Sequence, residues 1–377
     1  MKRLVILGST GSVGKQTLDV VREHPRDFKI TGLATRKNSE ALEQQITEFR
    51  PSLVAVTDEN RAKELRRRVS VPVLSGESAL AELAAHDAAD FMMNALVGTV
   101  GIRPTLAAIR SGKTVGLANK ETLVSAGEIV MREAAAYRAE IIPVDSEHNA
   151  IFQCLRGESQ KHIRRIILTA SGGPFRDTPR EKLKDATAAE ALQHPTWKMG
   201  RKISIDSATM MNKGFEVIEA MHLFGLAPNQ IGVIVHPESI VHSMVEFVDH
   251  SVIAQMSVPD MRIPIQYALF YPRRAANAVP ALALDEIGTL HFQPADTEKF
   301  PCLALAYDAA RIGGTMPAVM NTANDLLVER FLAGDIKFLG ISAGVRKIME
   351  KHTPQRNPNL EDILAAIAWT RECFGIA

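Results

Sequence analysis

The stretch Val144-Asp145-Ser146-Glu147-His148-Asn149 places two carboxylates two residues apart, with a serine between them, directly after the apolar run Ile141-Ile142-Pro143. A solvated turn satisfies that pattern. So does a ligand site, because open parallel sheets bind ligands outside the carboxyl ends of their strands. Asn119-Lys120-Glu121 stands in the same way after the strand-like Thr114–Ala118. Further along, a helix over 208–222 would put Asn212, Lys213 and Glu216 on one face. An i,i+3 Lys–Glu pair is most often a surface salt bridge, and that reading stays open. Ser171-Gly172-Gly173 closes the strand-like Ile163–Ala170 with small residues that can offer a hydroxyl and backbone amides to an anion. His194-Pro195-Thr196-Trp197-Lys198-Met199-Gly200 lies outside any periodic run. It reads either as a mobile loop with an apolar payload or as a loop packed on its own domain.

The elements that must hold these residues begin at the N-terminus. Residues 3–8 form an apolar strand that runs into Gly8-Ser9-Thr10-Gly11-Ser12-Val13-Gly14, and a helical pattern follows from Lys15 to His24, stopping before Pro25. Strand, glycine turn and helix are the context of a dinucleotide site, where backbone approaches a pyrophosphate and a helix N-terminus supplies amides and a positive dipole end. The spacing is GxxGxxG rather than GxGxxG, so a plain tight turn also fits. A second strand, Phe28–Ala34, ends at Thr35-Arg36-Lys37-Asn38. An NAD site usually has an acidic residue there. Two cations suit a 2′-phosphate, which predicts NADPH; a solvated basic loop is the other reading. Strand-like runs at 53–57, 91–96, 114–118 and 140–144 alternate with helical stretches, which predicts a doubly wound parallel sheet.

At 377 residues the chain is long enough for two or three domains. A formal net charge of +1 argues against a general nucleic-acid surface. No apolar run approaches the roughly 20 residues that span a bilayer, and Leu4–Leu7 is too short for a signal-peptide core. The expectation is an intracellular, cytoplasmic protein without nucleic-acid or membrane partners. Cys154, Cys302 and Cys373 lack the spacing of a disulfide framework or zinc site and read as buried thiols. His236, Glu238 and His242 resemble a metal cluster, but strand alternation makes a packed sheet face the better reading. Residues 302–314, 316–334, 337–352 and 359–375 read as four helices of a terminal bundle whose role is support.

GSTGSVG, LANKE, PVDSEHNAIFQ, TASGGPF, HPTWKMG, DSATMMNKGFEVIEA and PDMRIP, in that order, resemble the 1-deoxy-D-xylulose 5-phosphate reductoisomerases, from residue 3 to the C-terminal bundle. The resemblance implies an NADPH- and metal-dependent enzyme of the non-mevalonate isoprenoid route, working as a homodimer. It assigns Asp145, Glu147 and Glu216 to a divalent cation, and three carboxylates are a hard oxygen set suited to Mg²⁺ or Mn²⁺, with Co²⁺ a further candidate. It places Lys120, Ser146, Glu147 and Lys213 around the reacting carbons, with Lys120, Glu147 and Lys213 catalytic. Ser171, His194, Ser207, Asn212 and Lys213 hold the substrate, largely at its phosphate, and Glu216 also borders it. Residues 194–200 become a lid, with Trp197 over the substrate and largely exposed without ligand. Cofactor contacts map to Thr10, Gly11, Ser12, Val13, Arg36, Lys37, Asn38, Asn119, Glu121, Met199 and Gly200. The family often has Gly-Lys/Arg-Asn where this chain has Arg36-Lys37-Asn38.

The implied reaction breaks and re-forms a carbon–carbon bond with Lewis-acid help, then reduces a branched aldehyde phosphate to 2-C-methyl-D-erythritol 4-phosphate. The implied fold is α/β, with an N-terminal Rossmann-like doubly wound parallel sheet (1–145), a central α+β catalytic domain (146–280), a connector (281–301) and a C-terminal four-helix bundle (302–377). The strand-like segment 233–247 is expected to extend a sheet across a two-fold axis. Two rival readings are weaker. A semialdehyde dehydrogenase needs a nucleophilic cysteine in a loop, whereas Cys154 falls in a helical pattern. A non-enzymatic NADPH sensor has no use for three metal-binding carboxylates.

Overall fold

The computed structural model describes residues 1–197 and 199–376, and divides into two compact units. The first comprises residues 1–122, 130–149 and 260–279, and the second 123–129, 150–259 and 280–377.

The first unit is built on seven parallel strands: β1 (Lys2–Leu7), β2 (Phe28–Thr35), β3 (Leu53–Val56), β4 (Val73–Ser75), β5 (Phe91–Asn94), β6 (Thr114–Leu117) and β7 (Ile141–Pro143). Their order is β4-β3-β2-β1-β5-β6-β7, so the winding reverses between β1 and β5. Residues 4–7 of β1 are wholly buried, as a strand covered on both faces requires. Helices α1 (Ser12–Glu23), α2 (Ser39–Phe49), α3 (Glu59–Arg66), α4 (Ala79–Ala84), α5 (Ile102–Arg110) and α6 (Lys120–Tyr137) make the crossovers. The expected doubly wound sheet is present. Residues 260–279 differ from expectation. Read from sequence as part of the catalytic domain, they pack here through α11 (Arg262–Phe270). The Lys2 ammonium donates to the Leu269 carbonyl at 2.6 Å, and Phe270 meets Phe28 edge to face.

The second unit has a mixed five-stranded sheet, β11-β10-β8-β9-β12. Its strands are β8 (Ile163–Ala170), β9 (Ile231–Val235), β10 (Val241–Phe247), β11 (Val252–Met256) and β12 (Gln293–Pro294). Helices α7 (Ser146–Cys154), α8 (Ala188–Ala191), α9 (Arg201–Ala208), α10 (Met211–Phe224), the short α12 (Leu284–Ile287) and the terminal α13 (Pro301–Ile312), α14 (Met316–Ala333), α15 (Phe338–Lys351) and α16 (Leu360–Glu372) complete the fold. The four terminal helices lie where the sequence puts them. They form one compact unit with the sheet rather than a separate domain. The helix expected over 208–222 is α10, which begins only at Met211, because Met210 takes a φ of +61° and separates it from α9.

Helix α10 runs through the middle of this unit. Val217, Ala220 and Phe224 pack with Ile166, Leu168, Ile231 and Val245 of the sheet. Phe215 and Ile218 share a second core with Leu303, Leu305 and Ala306 of α13. A Cβ on Gly214 would stand 2.4 Å from that of Ala306, so glycine permits the close approach of these two helices. A helix covered on both sides buries the polar groups that face its two cores, and α10 buries Lys213 and Glu216.

Candidate active site

The glycine turn of the first unit is shaped by contact. Gly8 has φ +80°, and a Cβ there would lie 2.5 Å from the Ala95 carbonyl oxygen. A Cβ on Gly14 would lie 2.2 Å from the Gly8 oxygen. These two glycines fold the turn tightly against itself. Helix α1 begins at Ser12 with Gly11 as its N-cap, no side-chain cap and no acid in its first turn, which leaves its amides for an anion. Gly11 and Ser12 are exposed, and the Thr10 hydroxyl meets that of Thr35 at 2.7 Å. Arg36 and Lys37 are exposed at the carboxyl end of β2. Asn38 there caps α2, its Oδ1 accepting from the Ala41 amide at 3.1 Å.

Asn119 and Glu121 are almost fully buried. The Asn119 amide donates to the carbonyls of Leu96 (3.1 Å) and Gly98 (3.0 Å), and Glu121 accepts from the Gly98 amide at 3.0 Å. Both therefore build the loop 95–101, which follows β5 and touches Gly8. Its Val97 and Val100 side chains are 70% and 53% exposed. No charged or periodic pattern marks this loop in the sequence. Its signal is an apolar, glycine-bearing run, Leu96-Val97-Gly98, at the end of a buried strand beside the winding reversal.

Lys120, the first residue of α6, is 7% exposed and its ammonium stands 3.0 Å from Asp145. His148 lies 3.4 Å from the same carboxylate oxygen. Burial alone would push the Asp145 carboxyl up, but Lys120 and His148 outweigh it and hold it well below the usual carboxylate range. Oxygens of Asp145 and Glu147 lie within 4.8 Å of each other, and the Ser146 hydroxyl donates to Glu147 at 2.6 Å. The Asp-Ser-Glu stretch is thus a half-buried, paired group at the end of β7. It is not a solvated turn.

In the second unit, α10 carries Asn212, Lys213 and Glu216 on one face, as the spacing predicts. The pair is not on the surface. Lys213 is 4% exposed and Glu216 wholly buried. The Glu216 carboxylate accepts from the Asn212 amide at 2.6 Å on one oxygen and from the Lys213 ammonium on the other.

Ser171 begins the turn after β8. A Cβ on Gly173 would lie 2.7 Å from the Ser207 carbonyl, so the turn rests directly on α9. His194 Nδ1 accepts from the amides of Thr196 (3.2 Å) and Trp197 (2.9 Å). That nitrogen is therefore unprotonated, and Nε2–H donates to the Ser171 hydroxyl at 2.9 Å. Burial pushes the His194 pKa down to about 4, so the ring is neutral at physiological pH. Ser171 Oγ also accepts from the Gly173 amide at 3.2 Å, which leaves its own hydroxyl proton to donate outward. Trp197 is only part-exposed, tilted against His242 with ring centroids 6.4 Å apart. The expected large exposure is thus not found, because His242 offers the indole a wall. Met199 is half-buried and Gly200 exposed at the N-cap of α9, while Lys198 falls outside the described residues.

His236 is buried in a turn, its Nε2 accepting from the amides of Ile240 and Val241. It is a packing residue, although on a turn rather than the strand face expected. Segment 233–247 cannot extend the sheet, because β10 is already paired on both sides. The edge strands are β11 and the two-residue β12. Cys154 is helical and buried, its thiol pushed up to about 11 by burial.

Family models match most of the chain: "1-deoxy-D-xylulose 5-phosphate reductoisomerase" over residues 4–127, its C-terminal domain over 141–224, and "DXP reductoisomerase C-terminal domain" over 256–373. The 1-deoxy-D-xylulose 5-phosphate reductoisomerase of Pelotomaculum thermopropionicum is 52% identical over 375 residues, 98% of this chain and 97% of that one. The enzyme of the same name from Geobacillus kaustophilus is 53% identical over 367 residues, 96% of each chain. A crystal structure of DOX-P reductoisomerase in complex with NADPH, fosmidomycin and magnesium superposes with a TM-score of 0.95 at 41% identity, covering 99% of this chain and 97% of that one. The Zymomonas mobilis enzyme in complex with NADPH gives 0.92 at 41% identity, covering 98% and 97%.

Proposed function

The chain belongs to the 1-deoxy-D-xylulose 5-phosphate reductoisomerase family, and from that premise we infer how its own residues carry the reaction. It is an NADPH-dependent oxidoreductase that converts 1-deoxy-D-xylulose 5-phosphate to 2-C-methyl-D-erythritol 4-phosphate with a divalent cation, in isoprenoid precursor synthesis.

One observation carries the residue assignment: two of the three candidate carboxylates are paired with a buried lysine, Asp145 with Lys120 and Glu216 with Lys213, and the third, Glu147, accepts from the Ser146 hydroxyl. Asp145, Glu147 and Glu216 fit a hard cation, since all three offer oxygen and none offers sulfur or nitrogen. Once bound, the cation supplies Lewis-acid stabilisation of charge on substrate oxygens. Carboxylates so engaged release Lys120 and Lys213, whose ammonium groups then turn to substrate hydroxyls and carbonyls. Ser146 and Asn212, hydrogen-bonded to Glu147 and Glu216, stand beside the same groups. Ser171, His194 and Ser207 receive the phosphate end, with Ser171 donating its hydroxyl proton. A rigid anion site of this kind supplies remote binding energy that orients the reacting carbons.

NADPH takes the glycine turn, with pyrophosphate on Thr10–Val13 and the 2′-phosphate on Arg36 and Lys37. Asn38, Asn119 and Glu121 shape the adjoining loops. Trp197, Met199 and Gly200 close over the reacting ends and exclude water. The ion is Mg²⁺ or Mn²⁺, and the setting is the cytoplasm. No helix among the described residues is long and apolar enough to cross a membrane. A homodimer forms along β11, whose Val252 and Ile253 are 50% and 41% exposed at a sheet edge. Glu216→Gln tests the assignment: the fold remains and metal-dependent turnover is lost, whereas near-normal turnover at low metal would refute it.

A further inference from the structure

The terminal bundle reads from sequence as support, yet one of its helices reaches the substrate side of the second unit. On α14, the Asn324 amide donates to Asp206 Oδ1 at 2.7 Å. Asp206 belongs to α9, and its carboxylate is 2% exposed. Its other oxygen stands 2.9 Å from the Lys202 ammonium, one turn earlier on α9. The same ammonium lies 2.9 Å from Asp325, again on α14, and 4.9 Å from the ring centre of Phe215. Two adjacent residues of α14 thus hold two residues of α9 by different chemistry, an amide on a buried carboxylate and a carboxylate on a cation.

Helix α9 is short, eight residues, with no side-chain cap at its start. A helix this short is not held by its own propensity, so its position depends on tertiary contacts. Its first turn follows directly from the 194–200 loop. Ser207, next to Asp206, presses its carbonyl on the Ser171 turn, where even a Cβ on Gly173 would come within 2.7 Å. A shift of α9 must therefore move Ser207 and the Ser171 turn together. Both belong to the anion end of the site on the reading above, and this inference rests on that reading.

We propose that Asn324 and Asp325, acting through Asp206 and Lys202, are positioning residues for the phosphate end of the substrate. They touch neither substrate nor cofactor. They fix the helix that carries Ser207 and anchors the lid. The arrangement makes the terminal bundle part of the substrate site, and it predicts a selective defect. Loss of either α14 contact leaves α10 and its Lys213–Glu216 pair in place, because those are held by two apolar cores.

The test is steady-state kinetics of Asn324→Ala and Asp325→Asn on the whole protein, varying each substrate in turn, with melting temperatures alongside. Misplacing a binding group by a fraction of an ångström weakens it strongly, so KM for the sugar phosphate should rise about tenfold while KM for NADPH stays within about twofold and kcat within about threefold. Asp325→Glu, which keeps the charge on Lys202, should restore most of the affinity. Asp325 is 29% exposed, so its variants fold even where Asn324→Ala does not. A KM for the sugar phosphate within about twofold of wild type overturns the proposal, as does a parallel rise in both KM values that tracks the melting temperature. Ser207→Ala separates the premise from the inference. An unchanged KM in that variant removes Ser207 from the site and the premise with it. A raised KM there, with both α14 variants normal, overturns the network alone.

Discussion

Lys213→Met is the most informative single perturbation of the second unit. The methionine keeps most of the side-chain volume and removes the charge. Lys213 and Glu216 are 4% and 1% exposed in their side chains, so the variant leaves a carboxylate inside the protein without the ammonium that faces it. Removing one member of a buried pair costs about 3–5 kcal/mol, mainly the desolvation of the charge that remains. Asn212 still donates to Glu216 at 2.6 Å, which puts the expected loss near the lower figure. A loss of about 3 kcal/mol lowers the melting temperature by roughly 6–12 °C for a unit of this size. Divalent metal should reverse much of it, because an ion on Glu216 replaces the missing positive charge. At a hundred times its Kd, such an ion stabilises by about 2.7 kcal/mol. The assay is thermal unfolding by circular dichroism, with chelator and with Mg²⁺. The rise on adding Mg²⁺ should be larger in Lys213→Met than in wild type and absent in Glu216→Gln. An unchanged melting temperature in Lys213→Met would refute the burial argument. A Mg²⁺-induced rise that survives in Glu216→Gln would refute the ligand assignment.

Replacing Arg36 and Lys37 together by alanine should reduce the preference for NADPH over NADH at least about tenfold, because two charge-assisted contacts to the 2′-phosphate are lost; an unchanged ratio of kcat/KM values places that recognition elsewhere. Trp197→Ala removes a part-exposed ring, so it should cost less than the roughly 3–5 kcal/mol of a core aromatic while kcat/KM falls at least about tenfold for want of the lid's apolar cover. A large stability loss with activity intact would make Trp197 a packing residue. His222 lies against Gly127 of α6 and burial pushes its pKa down to about 4. The unfolded imidazole gains a proton as pH falls through 6.5 while the folded one resists, so acid favours unfolding and up to about 3 kcal/mol is lost by pH 4. Urea unfolding across that window should show a shallower slope in His222→Gln than in wild type, and equal slopes would contradict the assignment.

The strand, glycine turn and helix at the N-terminus were legible because each is written locally: an apolar run, three glycines and an amphipathic pattern. Strand β4 was missed because Val73–Ser75 is three residues long and offers no periodicity. The break between α9 and α10 was missed for a related reason. Met210 takes a left-handed conformation with neither glycine nor proline to announce it, and the surrounding core makes that conformation affordable. Spacing showed that Lys213 and Glu216 share a helix face, but their burial depends on a sheet and a bundle distant in sequence. Spacing marks Asn119 and Glu121 only as polar residues at a strand end, whereas their partners include the backbone of the 95–101 loop, some twenty residues earlier. The contact of Asn324 with Asp206 spans 118 residues, and no local pattern encodes such a pairing.

The central claim is that this chain joins a metal-assisted rearrangement to reduction by NADPH. It is tested most directly by incubating the purified protein with 1-deoxy-D-xylulose 5-phosphate, NADPH and Mg²⁺, following loss of NADPH absorbance and identifying the product by NMR. Stoichiometric oxidation of NADPH and formation of 2-C-methyl-D-erythritol 4-phosphate are expected, abolished when any one of the three is withheld. Oxidation of NADPH that proceeds without the sugar phosphate, or undiminished turnover in the presence of chelator, would contradict the claim.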